Sequence, residues 1–273
     1  MKKDTLKFLK DNNVEVDSII ELKEGISNTN YLINDSYVLK EPFDVSFSRI
    51  NSAIVAFQNK NNLTDISPAV LAYNTKLGLL LTKYLKGYHP LTKEELNDEI
   101  IDKIINLLST FHLSSFDLPK LDYISLLTLY RNMIDTKDRI YLEVIESSSI
   151  LQGELEISHM DLLLSNFMIN DSKHLELIDY EFCSYAPKYF DLISLLEENN
   201  LNDNLKAKII CKYFDNEKEK EAFLAKYNTY AALSDLLWYH WAYARYINSG
   251  KKVFYEIAIH KKDALYKHLK LVD

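Results

Sequence analysis

Hydrophobic and polar positions alternate in short bursts over the first third of the chain and settle into helical spacing after it. SIIELKEG (18–25), TNYLIND (29–35), YVLKEP (37–42), PAVLAYN (68–74) and LGLLLTKYL (77–85) are rich in β-branched and aromatic residues. Gly25, Asn34-Asp35 and Asn74 punctuate them, so they read as strands joined by turns. Between them FSRINSAIVAFQNKNN (47–62) has helical spacing. From residue 92 helices dominate, the first being TKEELNDEIIDKIINLLSTFHLSS, with Thr92 as N-cap and Glu95 placed for a capping box. One exception interrupts them: FMIN (167–170) and LELIDY (175–180) read as two strands around the polar turn Asn170-Asp171-Ser172-Lys173. Then follow YFDLISLLEENN, NLKAKIICKYF, a long helix from about Glu217 to Tyr246 and a last one from about Lys252 to Lys270. The pattern predicts an α+β protein with a small β-rich lobe over 1–85, a connection near YLKG, and a larger, mainly helical lobe over 86–273.

Composition narrows the class. With 273 residues and 47% hydrophobic content the chain can bury a sizeable core. Its two cysteines, Cys183 and Cys211, have neither metal nor redox spacing, which fits a reducing, cytoplasmic setting. MKKDTLKFLKDNN lacks the apolar block of a signal peptide, and no apolar run reaches membrane-spanning length. The net charge of −8 disfavours nucleic acid as a partner and mildly favours a cationic ligand. Oligomeric state is not legible.

Candidate chemistry concentrates in ISHMDLLLSNFMINDSKHLELIDYEF (157–182). A carboxylate just after a strand can accept a proton from a substrate hydroxyl, and an amide five positions on can ligate a metal ion; Asp161 and Asn166 have that spacing. Asp179 ends the next apolar run and would add a hard oxygen ligand of the kind Mg²⁺ takes. Glu181, two residues on, falls on the same side if the strand continues. The same three loop residues, His159, Asp161 and Asn166, also suit an ordinary polar loop; their place between two strands, with an Ile-Asp pair following, sets them apart.

HMDLLLSN followed by LIDYEF resembles the catalytic loop and metal-binding segment of the choline/ethanolamine kinases and of the related aminoglycoside phosphotransferases. Met160 in place of Arg, and Asp-Tyr-Glu in place of Asp-Phe-Gly, set it apart from protein kinases. The resemblance implies a two-lobed protein-kinase-like fold in which Asp161 acts on the acceptor hydroxyl and His159 holds the loop. Asn166 and Asp179 would hold Mg²⁺, with Glu181 nearby. EGISNTNYLI resembles the family's phosphate-covering turn, giving Gly25, Ser27 and Asn28 to the nucleotide, although a ligand-free hairpin turn has the same composition. YVLKEP places Lys40 as the phosphate-pairing base, and LLLTKYLKG places backbone from Lys83 through Tyr84 to Leu85 against adenine. In SYAPKYFDLISLL, Asp191 would brace the catalytic loop. Three positions depart from the family: Ser52 stands where a first-helix glutamate is expected to pair with Lys40, and Ala186 and Ser194 stand where Asn is common. Gln58 and Glu41 are the candidate substitutes for that glutamate, and neither has its place in a simple reading.

The acceptor is sought in SDLLWYHWAYARY (234–246). Trp238 and Trp241, three apart on a helix, share a face. Such a pair commonly packs a core; it also suits cation–π binding of a quaternary ammonium, worth about 0.5–2 kcal/mol per ring. The resemblance favours the second role, with Tyr185, Phe254 and Tyr255 as further walls. The expectation is an ATP-dependent, Mg²⁺-using kinase of a small amino alcohol, choline before ethanolamine, thiamine or an aminoglycoside. A non-catalytic binding protein of the same fold is the alternative that the missing helix glutamate keeps open.

Overall fold

A computed structural model describes residues 1–22, 25–60, 63, 65–134 and 148–270. The chain divides into two compact units, Met1–Pro119 with Leu164–Ser184, and Lys120–Leu163 with Tyr185–Asp273.

The first unit is built on an antiparallel sheet of β1 (Ile19–Leu22), β2 (Asn28–Ile33), β3 (Tyr37–Pro42), β4 (Val70–Asn74) and β5 (Leu79–Lys83), in the order β1-β2-β3-β5-β4. These are the strands the alternation predicts. Asn34 and Asp35 take φ of 53° and 50° at the β2–β3 turn, a conformation these residue types tolerate better than most. Lys23 and Glu24, at the end of the first expected strand, lie outside the described residues, as do Asn61 and Asn62 at the end of the expected helix.

Helix α1 (Lys3–Asp11) was not expected, because its buried side chains are only Thr5, Phe8 and Leu9 in a lysine-rich stretch. Phe8 and Leu9 pack with Leu39, Leu79 and Leu81 on one face of the sheet. Alternation along β3 and β5 then turns Lys40 and Leu80 to the other face. There α2 (Ser52–Gln58) covers the sheet, capped by Asn51 Oδ1, which accepts from Ile54 N at 3.0 Å. Val55 packs with Ile50, Val70 and Leu80. The helix is shorter than its periodicity predicts, and Phe47 belongs instead to a 3₁₀ turn, Val45–Phe47.

Thr92 and Glu95 close a capping box, yet what it caps is the 3₁₀ turn Lys93–Glu95. The α-helix starts at Asp98 behind a second cap, Asn97, because Leu96 is extended (ψ 107°) and breaks the run. The expected polar hairpin, Phe167–Asn170 with Leu175–Leu177, forms a three-stranded sheet with Tyr88–Pro90. Phe111 of the helix Asp98–His112 contacts both Phe57 and Tyr180, at 5.3 and 5.9 Å between ring centroids, so one aromatic core ties α2 to the turn after the hairpin.

The second unit is mainly helical: Tyr123–Asn132, Phe190–Glu197, Asp203–Tyr213, Glu217–Ser249 and Lys252–His268, with strands Leu155–Ser158 and Ser184–Pro187 paired beside them. The long helix is buried on every side from Tyr230 to His240, which fits its lack of a polar stripe there. Gly250, at φ 68°, ends it in the left-handed conformation and turns the chain into the last helix. Among the described residues no helix is long and apolar enough to cross a membrane.

Candidate active site

Lys40 lines a pocket of the first unit with Ile50, Ile54, Val55, Gln58, Leu80, Asp179, Tyr180 and Glu181. An ammonium in a mostly apolar recess needs carboxylate partners. Lys40 Nζ donates to Asp179 Oδ1 and lies 3.5 Å from Glu181 Oε1.

The backbone that delivers these carboxylates differs from the expectation. The strand does not continue past Leu177. Asp179 adopts left-handed φ 69° and ψ 54°, and residues Tyr180–Phe182 form a 3₁₀ turn. Aspartate is one of the few side-chain-bearing residues for which that conformation is tolerable. Glu181 therefore reaches the Lys40 side through a tight turn and not through the two-residue period of a strand. Asn166 adjoins it: its carbonyl accepts from Ile178 N at 2.9 Å across the mouth of the hairpin, and the residue is buried.

The first helix after Lys40 supplies no carboxylate to this pocket. Ser52 is the first residue of α2 and exposed, and the helix turns Ile54, Val55 and Gln58 to the pocket. Glu41 points the opposite way, accepting from Thr5 Oγ1 of α1 at 2.7 Å. Gln58 is in the pocket wall, with its amide donating to Pro68 O at 3.1 Å. Lys40 is thus partnered from the hairpin and its turn by Asp179 and Glu181.

Ser27 and Asn28 lie where the β1–β2 turn enters β2, after Gly25 at φ 106°. Asn30 pairs with Lys40 and Asn28 with Pro42, so both asparagines project on the Lys40 face. Asn30 was not singled out from the sequence, although its place two residues from Asn28 carried the signal. Tyr84 and Leu85 follow β5, with Tyr84 N donating to Ser36 O at 2.8 Å.

In the second unit the loop carrying His159 and Asp161 is held from below by the helix Phe190–Glu197. Fully buried Asp191 accepts from His159 N at 2.9 Å and from Met160 N at 2.8 Å. Met160 itself takes φ 74°, a conformation that costs energy for a side chain of its type and is fixed here by those two bonds. Ser194 Oγ accepts from Leu162 N at 2.8 Å, and Asn199 Nδ2 donates to Leu162 O at 2.9 Å. Ser194, a departure from the family pattern, thus anchors the loop through its hydroxyl. His159 is fully buried and Asp161 half-buried.

Trp238 and Trp241 meet edge to face, with centroids 5.6 Å apart and planes at 89°. Trp238 is buried and Trp241 half-buried. Phe254 sits edge-on to Trp241 at 5.7 Å, whereas Tyr255 turns toward Tyr246 and is exposed. Tyr185 is in the strand Ser184–Pro187, its carbonyl accepting from Leu121 N at 2.7 Å.

The family model described as choline/ethanolamine kinase matches residues 72–260, most of the chain and all of its loop, hairpin and tryptophan segments. The chain belongs to the choline/ethanolamine kinase family. As a member of it, the chain is a small-molecule phosphotransferase by family. A LicA homolog of Mycoplasma capricolum is 22% identical over 207 residues, 74% of this chain and 82% of that protein. The choline kinase LicA from Streptococcus pneumoniae superposes with a TM-score of 0.77 at 18% identity, covering 98% of this chain and 99% of the other. LicA in complex with AMP gives 0.74 at 17% identity, covering 93% of each chain. At these identities the superpositions establish the protein-kinase-like fold.

Proposed function

We propose that this member of the family is an ATP-dependent, Mg²⁺-requiring kinase that phosphorylates the hydroxyl of choline. The observation that carries the phosphotransfer is the Lys40 ammonium held by Asp179 and Glu181 in a pocket, an arrangement in which one cation and two hard-oxygen ligands are kept ready for a charged nucleotide. In this reading residues 1–85 form the nucleotide lobe and 86–273 the catalytic and acceptor lobe. Ser27 and Asn28 cover the phosphates, Lys40 pairs with them, and the Tyr84–Leu85 backbone meets adenine.

The donor set suits the metal: a buried amide at Asn166 and carboxylates at Asp179 and Glu181 offer the oxygens Mg²⁺ prefers. When bound, Mg²⁺ would neutralise phosphate charge as the transfer proceeds. Asp161 orients the acceptor hydroxyl and takes its proton, while His159, pinned by Asp191, keeps Asp161 in place. Chemistry of this kind is chiefly positioning, so acceptor identity rests on the pocket, where Trp238, Trp241 and Tyr185 offer rings to a quaternary ammonium.

The test is ATP consumption with Mg²⁺ across choline, ethanolamine, thiamine and one aminoglycoside, with each product confirmed by mass. Phosphocholine is the expected preferred product, and Asp161→Ala is expected to bind nucleotide normally while losing turnover by roughly 1000-fold or more. Equal turnover in Asp161→Ala would remove that carboxylate from the reaction. Binding of ATP without any phosphorylated product would leave a non-catalytic binding protein.

A further inference from the structure

We propose that Arg245 is a specificity-determining residue: its guanidinium occupies the π-face of Trp241 and so weakens the tryptophan pair's preference for a charged ammonium over a neutral group of the same shape. The inference rests on the acceptor reading above. Arg245 follows Trp241 by one helical turn, which brings the two side chains together. Its guanidinium carbon is 5.6 Å from the Trp241 centroid and 5.2 Å from that of Phe254, both within cation–π reach. The residue is 6% exposed, so the charge is drawn in among the rings and not extended into water.

Ring geometry limits what is left for a ligand. Aromatic faces attract cations and aromatic edges repel them. Trp238 and Phe254 both meet Trp241 edge to face, and Arg245 lies over it as well. An ammonium arriving at Trp238 would then have a like charge one ring away. Lys251 already registers that field: burial and then Arg245 hold its ammonium below the ordinary lysine range. The chemistry selects an acceptor recognised by shape and apolar contact at Trp238 as much as by charge.

The experiment compares choline with 3,3-dimethylbutan-1-ol, in which carbon replaces the charged nitrogen. Binding is read from intrinsic tryptophan fluorescence, which in this chain reports the pair itself because there are 2 tryptophans. Arg245→Gln is expected to bind choline about tenfold tighter than the natural protein, the size of one screened like-charge interaction, with the neutral alcohol unchanged. Arg245→Lys, which keeps the charge, should stay at the natural affinity. Arg245→Met serves as the neutral variant of similar length should the glutamine protein not fold.

Tightening of both ligands alike, or of neither, would overturn the proposal. If the natural protein phosphorylates choline while the ratio is unmoved, only the role of Arg245 falls. Absence of both a fluorescence response and phosphocholine overturns the acceptor reading and this inference together.

Discussion

Lys40 and Lys261 each face a pair of carboxylates, in surroundings that differ. Lys40 meets Asp179 and Glu181, and the Asp179 side chain keeps 30% of its exposure. Lys261 meets Glu198 and Asp235, with side-chain exposures of 5% for the lysine and 1% for Asp235. The second cluster continues outward: His268 Nδ1 hydrogen-bonds Asp235 Oδ2 at 2.7 Å, while Glu197 accepts from Tyr227 and, at 2.6 Å, from Lys206. Every carboxylate there is carried by a helix or its cap, so the network fastens the helix Phe190–Glu197, the long helix and the last helix together. At Lys40 the carboxylates sit on a left-handed aspartate and a 3₁₀ turn beside a pocket. The same charges are closed into helix packing in one place and set beside a pocket in the other. Pairing alone therefore does not mark a site; backbone strain and a pocket do.

Breaking each lysine should separate the two roles. Lys40→Ala is expected to cut turnover by roughly 100–1000-fold, the loss typical of removing one group that stabilises developing charge, while the melting temperature moves little. Lys261→Ala should do the reverse, destabilising the fold by about 3–5 kcal/mol because it leaves Asp235 and Glu198 buried without their cation. Its turnover per folded molecule should remain near that of the natural protein. Calorimetry beside single-turnover kinetics decides the matter; a Lys40→Ala protein that melts far lower but turns over normally would dissolve the contrast.

Much of this contrast was legible in sequence on the Lys40 side and little of it on the other. Period-two alternation in YVLKEP and LGLLLTKYL fixes which way Lys40 points once Leu39 and Leu81 are assigned to the core. Asn166 and Asp179 stay together because the hairpin between them is set locally, Asn166 O accepting from Ile178 N. The pairing of Lys40 with Glu181 was not legible, because Glu181 arrives through a left-handed residue and periodicity does not encode a φ of 69° at aspartate. Asp235, Glu198 and Lys261 gave no signal, since they come from three separate helices and charged residues on helices read as solvated until the packing is known. Arg245 was overlooked for the same reason, although an arginine one turn after a tryptophan is a spacing that can be searched for.

The gentlest probe of the sealed cluster is alkaline pH. Burial alone would lower the Lys261 ammonium, but Glu198 and Asp235 outweigh it and hold the group above the ordinary lysine value of 10.5. A basic group raised in the folded state stabilises that state below its unfolded value, and this contribution is lost as pH rises through the folded one. The natural protein should therefore melt progressively earlier above about pH 10.5, with tyrosines such as deeply buried Tyr123, whose hydroxyl burial also pushes up, acting in the same direction. Lys261→Met isolates the lysine from the tyrosines, because the tyrosines are common to both proteins. Its melting temperature should lie below that of the natural protein at neutral pH, and the gap should narrow only once pH exceeds the unfolded lysine value. A gap that is constant across the alkaline range would mean that Lys261 contributes through its methylene packing and not through its charge.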